Sequence, residues 1–272
     1  MAIAYDTPAF QAGPRWNVAR IAPALVSVAG LMLVFGVWWI AGFALEASSR
    51  LVAFRGFTIG PTLASFADLL TTGAAWHAAA PSLARIGQGL FWAFVIGAPV
   101  GLAIGSLRLL EALLRLPFQI LRMVSPLAWM PIAVLLFASW DGAIIFLIAA
   151  AAIWPIVFST AAGVRHIDPV WLAMANNLGG RRFAILRTVV IPAVARDILS
   201  GLRLALGVAW IVLVPAEYLG VTSGLGYAIN DARDTLSYDR LAALVLLIGI
   251  IGFLIDALIA YAIHRTRWTP TT

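Results

Sequence analysis

Charged residues divide this chain into long apolar stretches. Twenty-five uncharged residues run from Ile21 to Leu45, 22 from Ile86 to Leu107, 18 from Met123 to Trp140 and 23 from Gly142 to Val164. Each is near the roughly 20 residues that an α-helix needs to cross the hydrocarbon core of a bilayer. Two further stretches carry isolated charges: one over about 198–219 holds Arg203 and Glu217, and one over about 241–263 holds Asp256. The pattern predicts six transmembrane helices in an all-α, polytopic membrane protein. The first run exceeds a signal-peptide core of about 7–15 residues, and no A-x-A site closes it, so it is expected to remain as a helix.

Composition agrees with this picture. Hydrophobic residues make up 62% of the 272, and only 11% are charged, against about 25% in a soluble domain. A soluble enzyme would lack its charged surface, and a disordered chain would not be this apolar. A membrane barrel would alternate apolar and polar residues in strands of about 10. The absence of Cys excludes thiol chemistry and Cys-based metal sites. All 18 basic residues are Arg, and the net charge of +6 marks cytoplasmic loops in a membrane protein rather than a nucleic-acid partner. No HExxH, GxSxG or Walker A sequence occurs, so neither catalysis of those types nor ATP binding through a P-loop is expected of this chain.

The Arg distribution predicts the orientation. With the N-terminus in the cytoplasm, eleven Arg residues fall in cytoplasmic segments: Arg15, Arg20, Arg108, Arg115, Arg165, Arg181, Arg182, Arg187, Arg196, Arg265 and Arg267. Five fall outside: Arg50, Arg55, Arg85, Arg233 and Arg240. Both termini are therefore expected inside. The resulting order is a cytoplasmic tail 1–20, a first span 21–45 and an outer loop 46–85. A core of five spans follows over 86–264, containing a cytoplasmic loop 165–197, and the chain ends in a tail 265–272. Leu63, Phe66, Leu69 and Leu70 give the outer loop an amphipathic helix along the surface.

The loop 165–197 has punctuation of its own. Asp168 before Pro169 reads as an N-cap with Pro at the first helical position. A short helix is expected to about Asn177, where Gly179 and Gly180 stop it. A second helix is expected from Arg181 to just before Pro192, with Phe183, Leu186 and Val190 on one face. Such a knob serves either as an amphipathic hairpin on the inner leaflet or as a docking site for a soluble partner.

Several residues inside the spans stand out. Gly89, Ala93, Gly97, Gly101 and Gly105 form a small-residue stripe, suited to packing within the bundle or to a dimer seam. Pro99 is expected to bend its span, and Pro126, Pro131 and Pro155 free carbonyls at membrane depth, as at the wall of a path. Arg122 and Arg203 either snorkel or pair, or else serve a path; Asp256 reads as a helix-packing residue. Trp129, Trp154 and Trp210 fit core packing or donation of indole N–H groups to a small anion.

Ala173-Met-Ala-Asn-Asn-Leu-Gly179, nine residues, then Val189-Val-Ile-Pro192 resembles the EAA loop of permease subunits of bacterial ATP-binding-cassette (ABC) importers. Ala175, Gly179 and Pro192 match that pattern; Val189 and Ile191 are conservative variants, whereas Ala173 stands where the family has Glu and Met174 where it has Ala. Ser125-Pro-Leu-Ala-Trp-Met-Pro-Ile132, Trp154-Pro155, Gly163-Val-Arg165, Gly201-Leu-Arg203, Ala209-Trp210, Ala216-Glu217 and Gly224-Leu-Gly226 are similar to the nitrate, bicarbonate, cyanate and sulfonate/taurine branch. The resemblance spans about 60–265 and implies a type I importer permease fold. It places an ATPase-coupling surface at Ala173, Ala175, Asn177, Leu178, Gly179, Arg182, Phe183, Leu186 and Pro192. Candidates for the translocation path are Arg122, Ser125, Trp129, Trp154, Arg203, Trp210 and Glu217, with Glu217 at the outer gate. Implied partners are a second permease chain in a homodimer, two ATPase subunits that bind ATP–Mg, and an external or lipid-anchored solute-binding protein. The chain itself binds no cofactor under this reading and lies in the bacterial inner membrane. The cargo is expected to be a small oxyanion, nitrate or nitrite first, with bicarbonate or taurine and other sulfonates as alternatives. An ion-coupled secondary transporter is the alternative of another class.

Overall fold

The computed structural model describes residues 23–265; the tail 1–20 and most of 265–272 lie outside the described residues. The first helix, α1 (Pro23–Ala47), leads through a 3-10 turn (Val52–Phe57) to α2 (Ile59–Thr71). Then come α3 (Ala74–Ser106), α4 (Arg108–Leu121), a 3-10 turn (Pro126–Trp129), α5 (Met130–Leu136) and α6 (Trp140–Arg165). The loop 166–181 holds α7 (Pro169–Asn177). Next, α8 (Arg182–Ile185) passes through a π turn (Leu186–Val190) into α9 (Ile191–Gly220), followed by α10 (Leu225–Asp234) and α11 (Tyr238–Arg265).

Among the described residues, five helical runs are long and apolar enough to cross a membrane: α1, α3, α6, the α8–α9 run and α11. The sixth is not the straight helix 123–140 that the apolar run suggested. It is a bent pair, α4 with 126–136, angled at 85°. The cause is local. Proline disfavours the helical conformation of the residue before it, and Ser125, ahead of Pro126, is extended with ψ 129°. A second difference lies in the outer loop, where α3 begins at Ala74 rather than Ile86, so Arg85 is a helix-interior residue and not a loop charge. The helix runs through Pro81 and Pro99 without a break.

Three helices form the centre, with α6 between α3 and α9. Lipid tails are as apolar as Leu, so helices in a bilayer associate through close packing and polar contacts rather than through exclusion of water. The small-residue stripe of α3 supplies the closeness, and its partner is α6 of the same chain. A methyl group added at Gly101 would sit 2.7 Å from the Val157 carbonyl oxygen and 2.7 Å from Thr160 Cβ. At Gly89 it would sit 2.7 Å from Ile148 Cβ, and at Gly105 2.6 Å from Val164 Cβ. Across the other seam Gly201 of α9 approaches Ser159 of α6 in the same way, at 2.8 Å. By contrast α1 is almost entirely exposed. It is tied down near its end, where Trp38 Nε1 donates to the Phe57 carbonyl at 2.9 Å and Arg55 donates to that of Glu46 at 2.9 Å.

The second helix of the loop does not end before Pro192. Proline lacks the N–H that an α-helix interior requires. Here the π turn precedes it and Pro192 falls in the first turn of α9, where no donor is needed. The loop and the fifth span are thus one continuous helical run from Arg182 to Gly220.

Candidate functional site

At the end of the bundle away from the 166–181 loop, Glu217 of α9 is fully buried. Its carboxylate accepts from Arg85 Nη1 at 2.5 Å, from Ser82 Oγ at 2.8 Å and from the Gly226 backbone N–H at 2.9 Å. Arg85, 4% exposed, also donates through Nε to Asp141 Oδ1 at 2.7 Å and to the Ser223 carbonyl and hydroxyl, each at 2.9 Å. Ser82 Oγ in turn accepts from the Leu225 N–H at 2.8 Å. Arg85, through its ion pairs with Glu217 and Asp141 and its bonds to Ser223, therefore fastens α3, α6, α9 and the turn that opens α10. The turn needs glycine. Gly224 has φ +113°, and a Cβ there would stand 2.5 Å from the Glu217 carboxylate. In this structure Glu217 is the fully buried partner of an ion pair.

A second assembly lies at the break between α4 and α5. A cavity of about 690 Å³ is lined there by Arg122, Trp129, Trp154, Phe118, Phe146 and Val208, among others. The Arg122 guanidinium lies 5.2 Å from the centre of the Phe158 ring, a cation–π distance. Trp154 meets Phe118 edge-on at 5.2 Å and stacks along Phe158 at 6.3 Å. The structure so brings Arg122, Trp129 and Trp154 to one wall, with Ser125 at the break next to the lining residues Val124 and Pro126. Pro155 also lines it. Arg203 and Trp210 are elsewhere. Arg203 makes a two-pronged ion pair with Asp256 of α11, at 2.7 and 2.6 Å. Trp210 packs over Gly252 at the α9–α11 seam. Asp256 is thus the partner of Arg203 as well as a residue of that seam.

The loop knob forms the third assembly. The Asp168 carboxylate caps α7 by accepting from the Val170 N–H at 2.9 Å. Gly179 takes φ +77°, and the Gly180 N–H bonds back to the Ala175 carbonyl at 3.0 Å, closing the helix. Leu186 and Val190 turn inward onto Ile167, Leu172 and Val194. Phe183 is not among these inward-packed residues as the helical spacing suggested; it is 75% exposed. Val170, Trp171, Met174 and Leu178 of α7 are exposed as well. Ala173, Asn177 and Arg182 are also exposed, and Ala175 is half-buried.

Sequence reasoning missed Arg85 and Ser82 as partners of Glu217, Asp141 and Ser223 as partners of Arg85, and the aromatic wall Phe118, Phe146 and Phe158. Ser82 and Arg85 are three apart, on one face of an otherwise apolar helix, which was a usable signal. The wall had none, because its members come from different helices.

Residues 93–268 match the model of the binding-protein-dependent transport system inner membrane component. That region takes in the aromatic cavity, the knob and Glu217. The chain is 38% identical over 201 residues to the bicarbonate transport system permease protein CmpB of Synechococcus elongatus, covering 73% of this chain and 70% of that protein. It is 34% identical over 250 residues to the taurine transport system permease protein TauC of Escherichia coli, covering 89% and 88%. To the nitrate import permease protein NrtB of Leptolyngbya laminosa it is 36% identical over 190 residues, covering 70% and 68%. A multi-pass helical bundle, a capped helical knob between its fourth and fifth spans and this similarity along most of the chain lead to one conclusion: the protein belongs to the family of binding-protein-dependent inner membrane transport components, the non-catalytic permease subunits of ABC importers.

Proposed function

We propose that this chain is the permease of an ATP-driven importer for a small oxyanion, nitrate or nitrite first. Two copies would line the path, with ATP and magnesium held on two ATPase subunits and the cargo delivered by an external binding protein. The observation that carries the choice of cargo is Arg122 at the wall of the aromatic cavity. Arg122 is itself exposed, and beside the aromatic wall its guanidinium offers an anion charge-assisted hydrogen bonds. Nitrate, bicarbonate and taurine all present such oxygens, and relatives named for each share the branch. The test is uptake by proteoliposomes holding the permease, its ATPase and the loaded binding protein. Arg122→Gln should lower nitrate uptake by about tenfold or more, the loss of a charge-assisted hydrogen bond. Unchanged nitrate uptake in that variant, or a wild-type protein that carries only taurine or bicarbonate, overturns the reading.

The knob supports ATPase docking, since its exposed Trp171, Met174, Leu178 and Phe183 offer apolar anchors at a polar membrane boundary. The orientation that suits it puts both termini in the cytoplasm. Removing the buried Arg85 from the outer Arg set strengthens the bias that favours this orientation. The chain has no native Cys, so single substitutions report cleanly. Cys in place of the exposed Ser49 or Asp234 should react with an impermeant thiol reagent added outside intact cells, and Cys in place of Asn177 should not. Labelling of position 177 from outside contradicts the orientation.

A further inference from the structure

Arg122 belongs to two cavities. Beyond the aromatic wall lies a second pocket of about 310 Å³, towards the loop end of the bundle, bounded by Glu111, Arg115, Arg122, Arg165, Phe118 and Phe158. The two cavities share Phe118 and Arg122. Three guanidinium groups and one carboxylate face this small space. The carboxylate is already engaged, with Arg165 Nη1 donating to Glu111 Oε1, and both side chains are half-exposed. Arg122 is held against the Phe158 ring rather than against a carboxylate.

The helical positions explain the arrangement. On α4, residues 108, 111, 115, 119 and 122 recur at helical spacing on one face. Leu110, Leu114 and Phe118 pack inward on Ile104, Val157 and Ala161, while Leu109, Leu113, Leu116 and Ile120 are exposed on a third face. The polar face of α4 therefore borders the C-terminal end of α6, where Arg165 stands, and Arg115, Arg122 and Arg165 are all exposed there. Removing Glu111 from the tally leaves a pocket with three positive groups, and with Glu111 counted the excess is two.

We propose that this pocket is an oxyanion-binding vestibule next to the aromatic cavity, with Glu111 as a built-in competitor that keeps bound anions exchangeable. An oxyanion with two or more acceptor oxygens would bridge Arg115 and Arg165, and to do so it must displace Glu111 from Arg165. The half-exposed Glu111 carboxylate gives Arg165 a partner when the vestibule is empty and limits how tightly an anion binds when it is full. The inference rests on the path reading only for the direction of travel through Arg122; anion binding by Arg115 and Arg165 stands without it. The same chemistry would hold the phosphate of an anionic lipid headgroup, since a pocket at the end of a membrane bundle is within reach of one.

The test is equilibrium binding of radiolabelled sulfate to the full chain in nanodiscs, at constant ionic strength with chloride as the replaced anion. Discs of zwitterionic phosphatidylcholine are compared with discs containing phosphatidylglycerol. The proposal expects saturable binding in phosphatidylcholine, competed by nitrate. It expects about tenfold or greater weakening in Arg115→Gln, since hydrogen bonds to charged groups are the stronger kind, and a several-fold tightening in Glu111→Gln. Arg115 is exposed, so its replacement leaves the core alone. Equal binding in both lipids identifies a free anion as the occupant. Binding lost only in phosphatidylglycerol identifies the headgroup phosphate, and either result upholds an oxyanion site. No saturable binding in phosphatidylcholine, or wild-type affinity in both variants, overturns the vestibule. Because Arg122 is untouched throughout, that failure is separate from a failure of the Arg122→Gln uptake test.

Discussion

Arg85→Ala should lower the unfolding free energy of the purified permease by about 3–5 kcal/mol, the range for breaking a buried ion pair on one side only. The penalty comes from what is left behind. Glu217 has no access to water, and without Arg85 its charge would keep only Ser82 Oγ and the Gly226 N–H. Asp141 is the control: its side chain is 62% exposed, so Asp141→Asn should cost within about 1 kcal/mol. The double change Arg85→Met with Glu217→Gln should cost less than the sum of the two single changes, because it removes the stranded charge along with its partner. Denaturant unfolding in detergent, followed by tryptophan emission, measures each variant. Wild-type stability in Arg85→Ala would show that the pair does not hold this end of the bundle together. Because the cluster joins α3, α6, α9 and the 223–226 turn, loss of compactness should begin there and leave the knob folded.

The second large effect is functional rather than thermodynamic. Gly179→Val should abolish most ATP-driven uptake while costing the permease little stability. Gly179 sits at φ +77°, where a branched side chain is strained, at about 1 kcal/mol or more. Space is not the obstacle, since no atom lies within 4 Å of where its Cβ would be. The strain has to be relieved by turning α7 relative to α8, and this moves Met174 and Leu178 relative to Phe183. An apolar docking surface tolerates such misplacement badly, because its anchors fill pockets of fixed shape. Uptake and co-purification of the ATPase should therefore fall together, with insertion and unfolding near wild type. If both survive the substitution, the knob is not the coupling element, and a hairpin resting on the membrane surface explains it better.

The cap at Asp168, the stop at Gly179 and Gly180, and the small-residue stripe of α3 were all legible, since each depends on residues within a few positions of one another. The stripe announced close packing but not its partner, and only the fold showed that α6 of the same chain fills that role. The break at Arg122–Ser125 was half legible. Pro126 marks it, but a run of 18 uncharged residues reads as a span unless the restriction before proline is weighed against hydropathy. Pro192 misled in the opposite direction, because a π turn let the helix continue past it.

Taken alone, the sequence determined the membrane setting, the helical class, the number of apolar segments and the knob between the fourth and fifth of them. These follow from hydropathy, helix periodicity and the fixed backbone preferences of Gly and Pro, all short-range properties. The tertiary structure decided which charges meet. Arg85 and Glu217 are 132 positions apart and Arg203 and Asp256 are 53 apart, and nothing local to any of the four names its partner. It also decided that Arg122 joins an aromatic wall drawn from α4 and α6 instead of standing alone at a boundary. The physical reason is common to both. Which side chains stand beside one another, buried as at Arg85–Glu217 or open as at Arg203–Asp256 and Arg122, is fixed by the helix packing, and that packing is settled by the whole set of seams at once.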